Sequence, residues 1–232
     1  MAIIAFIAGF VQGLSGFGSA LVAMPLLLQF LPARQATPFC ILMGLVITTI
    51  LSLGLRHHLD WKKIAPIFAG CIPGIALGTY CLKTLDNEII KKSLGLILIT
   101  YSIYNLVFQL RPKRLNPLWG VIAGLMTGVI GAAFSAGGPP TIIYTSLNQW
   151  NKNEIKATLS GFFFLTGILI AIAHAVAGII TKKVLVLFLV GLIPVTLGTQ
   201  LGSKIYKALS HKSYLRLIYS LLLAMGLLLE FH

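Results

Sequence analysis

Two short runs in the chain combine the residue types that hold an anion without using a charge. Leu14-Ser15-Gly16-Phe17-Gly18-Ser19 interrupts one apolar stretch, and Phe134-Ser135-Ala136-Gly137-Gly138-Pro139-Pro140-Thr141 interrupts another. Glycine accepts backbone conformations that other residues avoid, and proline opens a helix without losing a needed donor. Each run is therefore expected to end one helix and begin the next, near Ser19 and near Pro139. A helix that begins at membrane depth presents unpaired N–H groups and the positive end of its dipole, which together make an anion site. The hydroxyls of Ser15, Ser19, Ser135 and Thr141 would add donors. Gly16, Phe17, Gly18, Gly137, Gly138, Pro139 and Pro140 complete the candidate binding set, with Phe17 the one bulky ring among small residues. The competing reading is that such glycines only let helices pack closely. Packing suits Gly9, Gly13, Gly124 and Gly128, spaced by four, whereas paired Gly followed by Pro-Pro breaks a helix.

Other chemistries lack their residues. Cys40, Cys71 and Cys81 have neither CxxC spacing nor a nearby His pair, so neither a metal nor a redox centre is expected. There is no HExxH, no intramembrane aspartate pair and no nucleotide-binding motif, so neither an enzyme nor a cofactor is expected. Asp60, Asp86, Glu88, Glu154 and Glu230 all fall in or beside connectors or at the C-terminus, and none sits in mid-segment. Cation pumps place carboxylates in the membrane, so a small anion is the better substrate. His174 lies inside an apolar block, and its charge can change near neutral pH. It is a candidate coupling group, set against the commoner role of a satisfied buried histidine.

These residues must be positioned by membrane helices. Of the 232 residues, 57% are hydrophobic and 10% charged, with a mean hydropathy of +0.94. A soluble domain needs about a quarter of its residues charged. Eight apolar blocks can be marked, at about 2–31, 37–55, 64–82, 89–109, 117–149, 157–180, 184–205 and 213–230, joined by compact charged connectors. The expected architecture is all-α, a polytopic integral membrane protein with one membrane domain over 1–232. The net charge of +13 then reports loops flanking the bilayer; no soluble face exists to bind nucleic acid.

The chain also repeats itself. Ile7-Ala8-Gly9 recurs as Ile122-Ala123-Gly124, and Gln12, Gly13, Gly16 and Pro25 align with Thr127, Gly128, Gly131 and Pro140 at the same offset of 115. Ala36-Thr37 matches Ala157-Thr158, and Leu77-Gly78-Thr79 matches Leu197-Gly198-Thr199. Repeat one spans 1–110 and repeat two 117–232. A polar position repeated at Gln12 and Thr127 either lines a path or bonds helix to helix. If every block crosses once, the 18 Lys and Arg divide 8 against 10 between the two faces; if both interrupted blocks are hairpins, they divide 6 against 12. Positive-inside bias favours hairpins and inverted repeats, an arrangement that suits alternating access.

Gly13-Leu14-Ser15-Gly16-Phe17-Gly18-Ser19-Ala20-Leu21, followed by Pro25-Leu26-Leu27, resembles the first-repeat motif of the TauE/SafE family of sulfite exporters and toluene-sulfonate permeases. Gly138-Pro139-Pro140-Thr141, with Lys156-Ala157-Thr158, resembles the second. The resemblance covers essentially the whole chain. It implies a multi-pass carrier of the bacterial inner membrane that moves sulfite, sulfoacetate or a related sulfonate, and it adds Lys156 as a gating candidate. Two departures stand out: Gly16-Phe17-Gly18-Ser19 replaces a GxGGG run, and Lys156 stands where Arg is frequent. The expected partners are thus a small anion, the lipid bilayer and a coupling ion, proton or sodium. An anion channel and a small-carboxylate carrier are the alternatives.

Overall fold

The computed structural model describes residues 1–107, 115–148, 150, 152–205 and the single positions 223, 226, 227 and 229. The connector 111–114 and nearly all of the eighth block lie outside the described residues. So do the side chains of His58, Lys152 and Asn153.

Among the described residues every regular element is helical. Two short helices replace the first block, α1 (Ala2–Ser15) and α2 (Ser19–Leu27). They are followed by α3 (Ala33–Gly54), a 3-10 turn (Arg56–His58), α4 (Trp61–Thr84) and α5 (Asn87–Val107). The second interrupted block gives α6 (Pro117–Phe134) and α7 (Gly138–Leu147), and the chain continues as α8 (Lys152–Val176) and α9 (Lys182–Ile205). Caps mark the starts that lie outside apolar sequence. Asp60 accepts from the Lys62 N–H at 3.0 Å to open α4, and Asn116 accepts from the Leu118 N–H at 3.0 Å to open α6, with Pro117 in its first turn.

Among the described residues five helices (α3, α4, α6, α8 and α9) are long and apolar enough to cross a bilayer. With 14 residues, α1 is only about 21 Å long. The 9 residues of α2 and 10 of α7 reach about half of the roughly 30 Å hydrocarbon core.

Helix directions follow from the residues that meet. Gly198 rests on the backbone of Phe6 and Phe10 and Gly202 on that of Phe10 and Leu14, so α9 runs parallel to α1. Gly70, Gly74 and Gly78 rest on Val121, Leu125 and Val129, so α4 runs parallel to α6. Thr37, near the start of α3, and His174, near the end of α8, both bond the last carbonyls of α6. At the other end, Leu59 meets Gly161 and Lys63 pairs with Glu154 at 2.9 Å. Hence α3 and α8 are antiparallel. The last turn of α1 lies at the beginning of α8, where the Lys156 ammonium donates to the Gly13 carbonyl at 3.1 Å. Because α1 and α3 run the same way, α2 must return; because α6 and α8 run the same way, so must α7. Both interrupted blocks are helical hairpins.

In the assembled molecule α3 and α8 cross at the centre, α1 packs on α9 along one flank, and α4 packs on α6 along the other. The flanking pairs approach so closely that a Cβ at Gly9, Gly70, Gly124 or Gly198 would collide with backbone of the facing helix. That is how helices associate in lipid, where Leu side chains gain nothing by leaving hydrocarbon for one another. Side chains such as Ile72, Leu77, Leu189 and Ile193 face outward and remain over half exposed, a surface suited to acyl chains rather than water.

Candidate substrate cavity

Between the two hairpin tips and the middles of α3 and α8 lies a cavity of about 80 Å³. A single water needs about 10–15 Å³ by the same measure, so a small polyatomic ion with some water fits.

Its first wall comes from hairpin one: Gln12, Gly18, Ser19, Ala20 and Leu21. The turn is possible because Gly16 (φ 84°) and Gly18 (φ 92°) both take the left-handed conformation. Ser15 secures it, donating to the Val11 carbonyl at 2.8 Å and accepting from the Phe17 N–H at 3.2 Å. Ser19 donates to the Gln12 amide oxygen, which leaves the Gln12 amide N–H₂ as the end that can donate to a ligand. The second wall comes from hairpin two: Thr127, Gly131, Ser135, Ala136, Gly137 and Gly138. Thr127 and Thr141 share a 2.6 Å hydroxyl bond across its arms. The position repeated in sequence thus does the same thing twice. Gln12 and Thr127 each bond a hydroxyl on the returning arm, and each also lines the cavity.

Of the residues singled out by sequence, Gln12, Gly18, Ser19, Ser135, Gly137 and Gly138 line the space. The others lie around it. Phe17 is 6% exposed and sits in the apolar core. Thr141 is fully buried on Thr127, while Pro139 and Pro140 border an outward apolar groove with Trp119 and Tyr144. Lys156 covers Gly16, where a Cβ would meet its Cγ at 2.8 Å, and bonds Gly13. His174 bonds the Ala132 carbonyl at 3.0 Å behind the second tip. Lys156 and His174 therefore hold the last carbonyls of α1 and α6, the groups a helix end leaves unpaired.

Sequence reasoning missed the central helices. From α3 come Cys40, Ile41, Gly44 and Thr48; from α8 come Phe163, Thr166, Gly167 and Ile170; Cys71 of α4 also touches the space. At Gly44 a Cβ would meet nothing within 4 Å, so this glycine contributes volume. Every described residue lining the cavity is uncharged. The donors left are the Ser135 hydroxyl, one proton of the Thr127–Thr141 pair, the Gln12 amide and the N–H groups at the starts of α2 and α7, which suits an anion that must also be released.

The sulfite exporter TauE/SafE family matches residues 1–229. The chain belongs to that family. Among its relatives is a probable sulfite/organosulfonate exporter TauE of Cupriavidus necator, 23% identical over 93% of this chain and 86% of the relative. A probable membrane transporter protein of Methanocaldococcus jannaschii is 26% identical over 97% and 92%. One of Haemophilus influenzae is 29% identical over 59% and 58%. No solved structure matches the chain. The TauE/SafE assignment makes this chain a multi-pass membrane transporter rather than an enzyme.

Proposed function

We propose that this TauE/SafE protein is a secondary transporter that carries a small sulfur-containing oxyanion or organosulfonate across the cytoplasmic membrane by alternating access. The observation that carries the reading is the meeting of two helix N-termini, α2 and α7, at one uncharged, donor-lined cavity. The substrate class is drawn from the name of the Cupriavidus relative.

Alternating access rests on reading 1–110 and 117–232 as inverted repeats. Reciprocal packing supports this: the first arm of each half lies on the helix of the other half that carries Leu-Gly-Thr, α1 on α9 and α6 on α4. In this reading the hairpins are re-entrant and both termini are extracytoplasmic. Lys156 gates the cytoplasmic approach, and His174 is the group that would carry a coupled proton.

Substrate class is tested by thermal stability against sulfite, sulfate, thiosulfate, sulfoacetate, acetate and phosphate. A ligand bound only by the folded state raises its apparent stability. We expect a sulfur oxyanion or sulfonate to give the largest shift; a shift confined to acetate makes the carrier one of carboxylates. Saturable counterflow in proteoliposomes separates a carrier from a channel. Gly138→Leu and Gly44→Leu should reduce that flux to background while the protein still folds, because a Cβ at Gly138 meets only the end of Ile142 at 3.1 Å and one at Gly44 meets nothing. Retained flux in both would place the anion elsewhere. Topology is tested by outside labelling of single cysteines: strong labelling at position 182 and none at 113 or 207 is expected, and the converse sinks the inverted arrangement.

A further inference from the structure

The central cavity does not account for all the buried polar groups along the path to it. On α8, Lys156, Ser160, Phe163, Gly167, Ile170 and His174 recur at spacings of 4, 3, 4, 3 and 4, so they share one helical face. Phe163, Gly167 and Ile170 of that face line the cavity. Ser160 therefore lies between the cavity and Lys156, one turn from each. It is 0% exposed, and its hydroxyl has no partner among the described residues. On α3, the buried Ser52 hydroxyl also lacks one. Leu45 meets Gly167, and α3 and α8 are antiparallel, so the register puts Ser52 level with Ser160.

A hydroxyl inside a helix ordinarily bonds the carbonyl four residues back. Thr48 does so with Gly44 at 2.8 Å, and Thr166 with Phe162 at 2.9 Å. Ser52 and Ser160 do not, although both hydroxyl oxygens are shut off from solvent. A buried hydroxyl left without a partner is costly, and two at one level, beside a lysine and outside an anion-suited cavity, have a shared explanation.

We infer that Ser52 and Ser160 form a second anion station, on the Lys156 side of the central cavity, where an oxyanion or sulfonate rests before Phe163 and the central site. This deepens the proposed function and rests on that reading. Lys156 supplies the attraction, the two hydroxyls supply donors, and the absence of a fixed charge at the station lets the ion move on.

The test uses the full chain with Cys40, Cys71 and Cys81 replaced, in right-side-out and inverted vesicles. Single cysteines at Ser160→Cys, Ser52→Cys and, for the central cavity, Ser19→Cys are treated with 2-sulfonatoethyl methanethiosulfonate or its cationic aminoethyl analogue. Ser160→Cys and Ser52→Cys should react from the Lys156 side about tenfold faster with the anionic reagent, a preference that steering by charge can supply. Added methanesulfonate should slow the reaction, and Lys156→Gln should erase the preference. If Ser19→Cys reacts while both station cysteines stay inert, the path avoids this face; the station is wrong and the central cavity stands. If all three are inert from both sides, the central-site reading fails with it. Equal rates for the two reagents at both station cysteines would also overturn the station.

Discussion

Hairpin one and hairpin two share a plan but solve their turns differently. The first turn uses glycine at both left-handed positions, Gly16 and Gly18. The second uses Ser135 at φ 57°, alone among the described non-glycine residues in having a positive φ, and then Gly137, which a Cβ would drive into the Thr127 carbonyl and Gly131. Their returning helices differ more. Helix α2 opens with Ser19, Ala20 and Leu21, each with a free N–H. Helix α7 opens with Gly138, Pro139 and Pro140, of which only the first carries one. The first hairpin is thus richer in backbone donors, while the second is stiffer and offers the Ser135 hydroxyl. Two elements of similar shape thus divide the donors unequally.

The largest expected effect sets the two turns against each other. Gly16→Val places a β-branched residue at φ 84° and pushes its Cβ onto the Lys156 stem. Left-handed strain and overpacking together should cost roughly 2–4 kcal/mol of stability. Ser135→Gly meets neither penalty and should stay within about 1 kcal/mol of the parent. Thermal unfolding in detergent reads both. Equal losses would mean that the tips are held by their surroundings rather than by turn chemistry.

The next effect concerns binding. Ser135→Ala should remove about one hydrogen bond to a charged ligand, on the order of 1.5–3 kcal/mol, or roughly ten- to hundredfold in affinity. Ser19 spends its one proton on the Gln12 amide oxygen, so Ser19→Ala should weaken binding by a similar factor by freeing Gln12 to turn its N–H₂ away. Since both side chains line one cavity, the double mutant should show coupling rather than simple addition. Equilibrium binding of the best anion to the three variants decides it. The bulky Phe17 ring lies in the apolar core and so does not fill the cavity beside Ser19. An unaffected Ser19→Ala beside a crippled Ser135→Ala would mean that hairpin two alone holds the anion.

Much of this was legible in the sequence because helix breaking is local. Two glycines two apart, or Gly-Gly followed by Pro-Pro, act on their own backbone, so both breaks and the starts of α2 and α7 could be placed. Hairpin geometry was legible less directly, through lysine and arginine counts. The contribution of α3 and α8 was not legible. Thr48 and Thr166 bond carbonyls of their own helices, as threonine does anywhere in a membrane helix, and nothing in the linear pattern says which face meets a cavity. The clamp of Lys156 on Gly13 joins residues far apart in sequence and depends on a helix pair that only the fold creates. Pro139 and Pro140 were correctly read as opening a helix, but they face the outer groove rather than the cavity.

The smallest effect is also the most direct test of the donor count, because it is a gain. Pro139→Ala returns one N–H to the first turn of α7, where it joins that of Gly138 at the cavity. If the backbone donors of hairpin two touch the anion, this added donor should tighten binding by about threefold, near the lower end of a net hydrogen bond. The same change gives up the stiffness of proline and should cost about 0.4–1 kcal/mol of stability through the unfolded chain. Affinity and stability must therefore move in opposite directions, which a loosened structure alone would not produce. The matching change in hairpin one, Ala20→Pro, deletes a donor from the first turn of α2 at a position where proline is tolerated. It should weaken binding by at least as much as Pro139→Ala strengthens it. Isothermal titration of the best anion with both variants measures the pair. Opposite shifts would establish that the helix starts of both hairpins hold the ion, whereas two unchanged affinities would leave the hydroxyls and the Gln12 amide as its only donors.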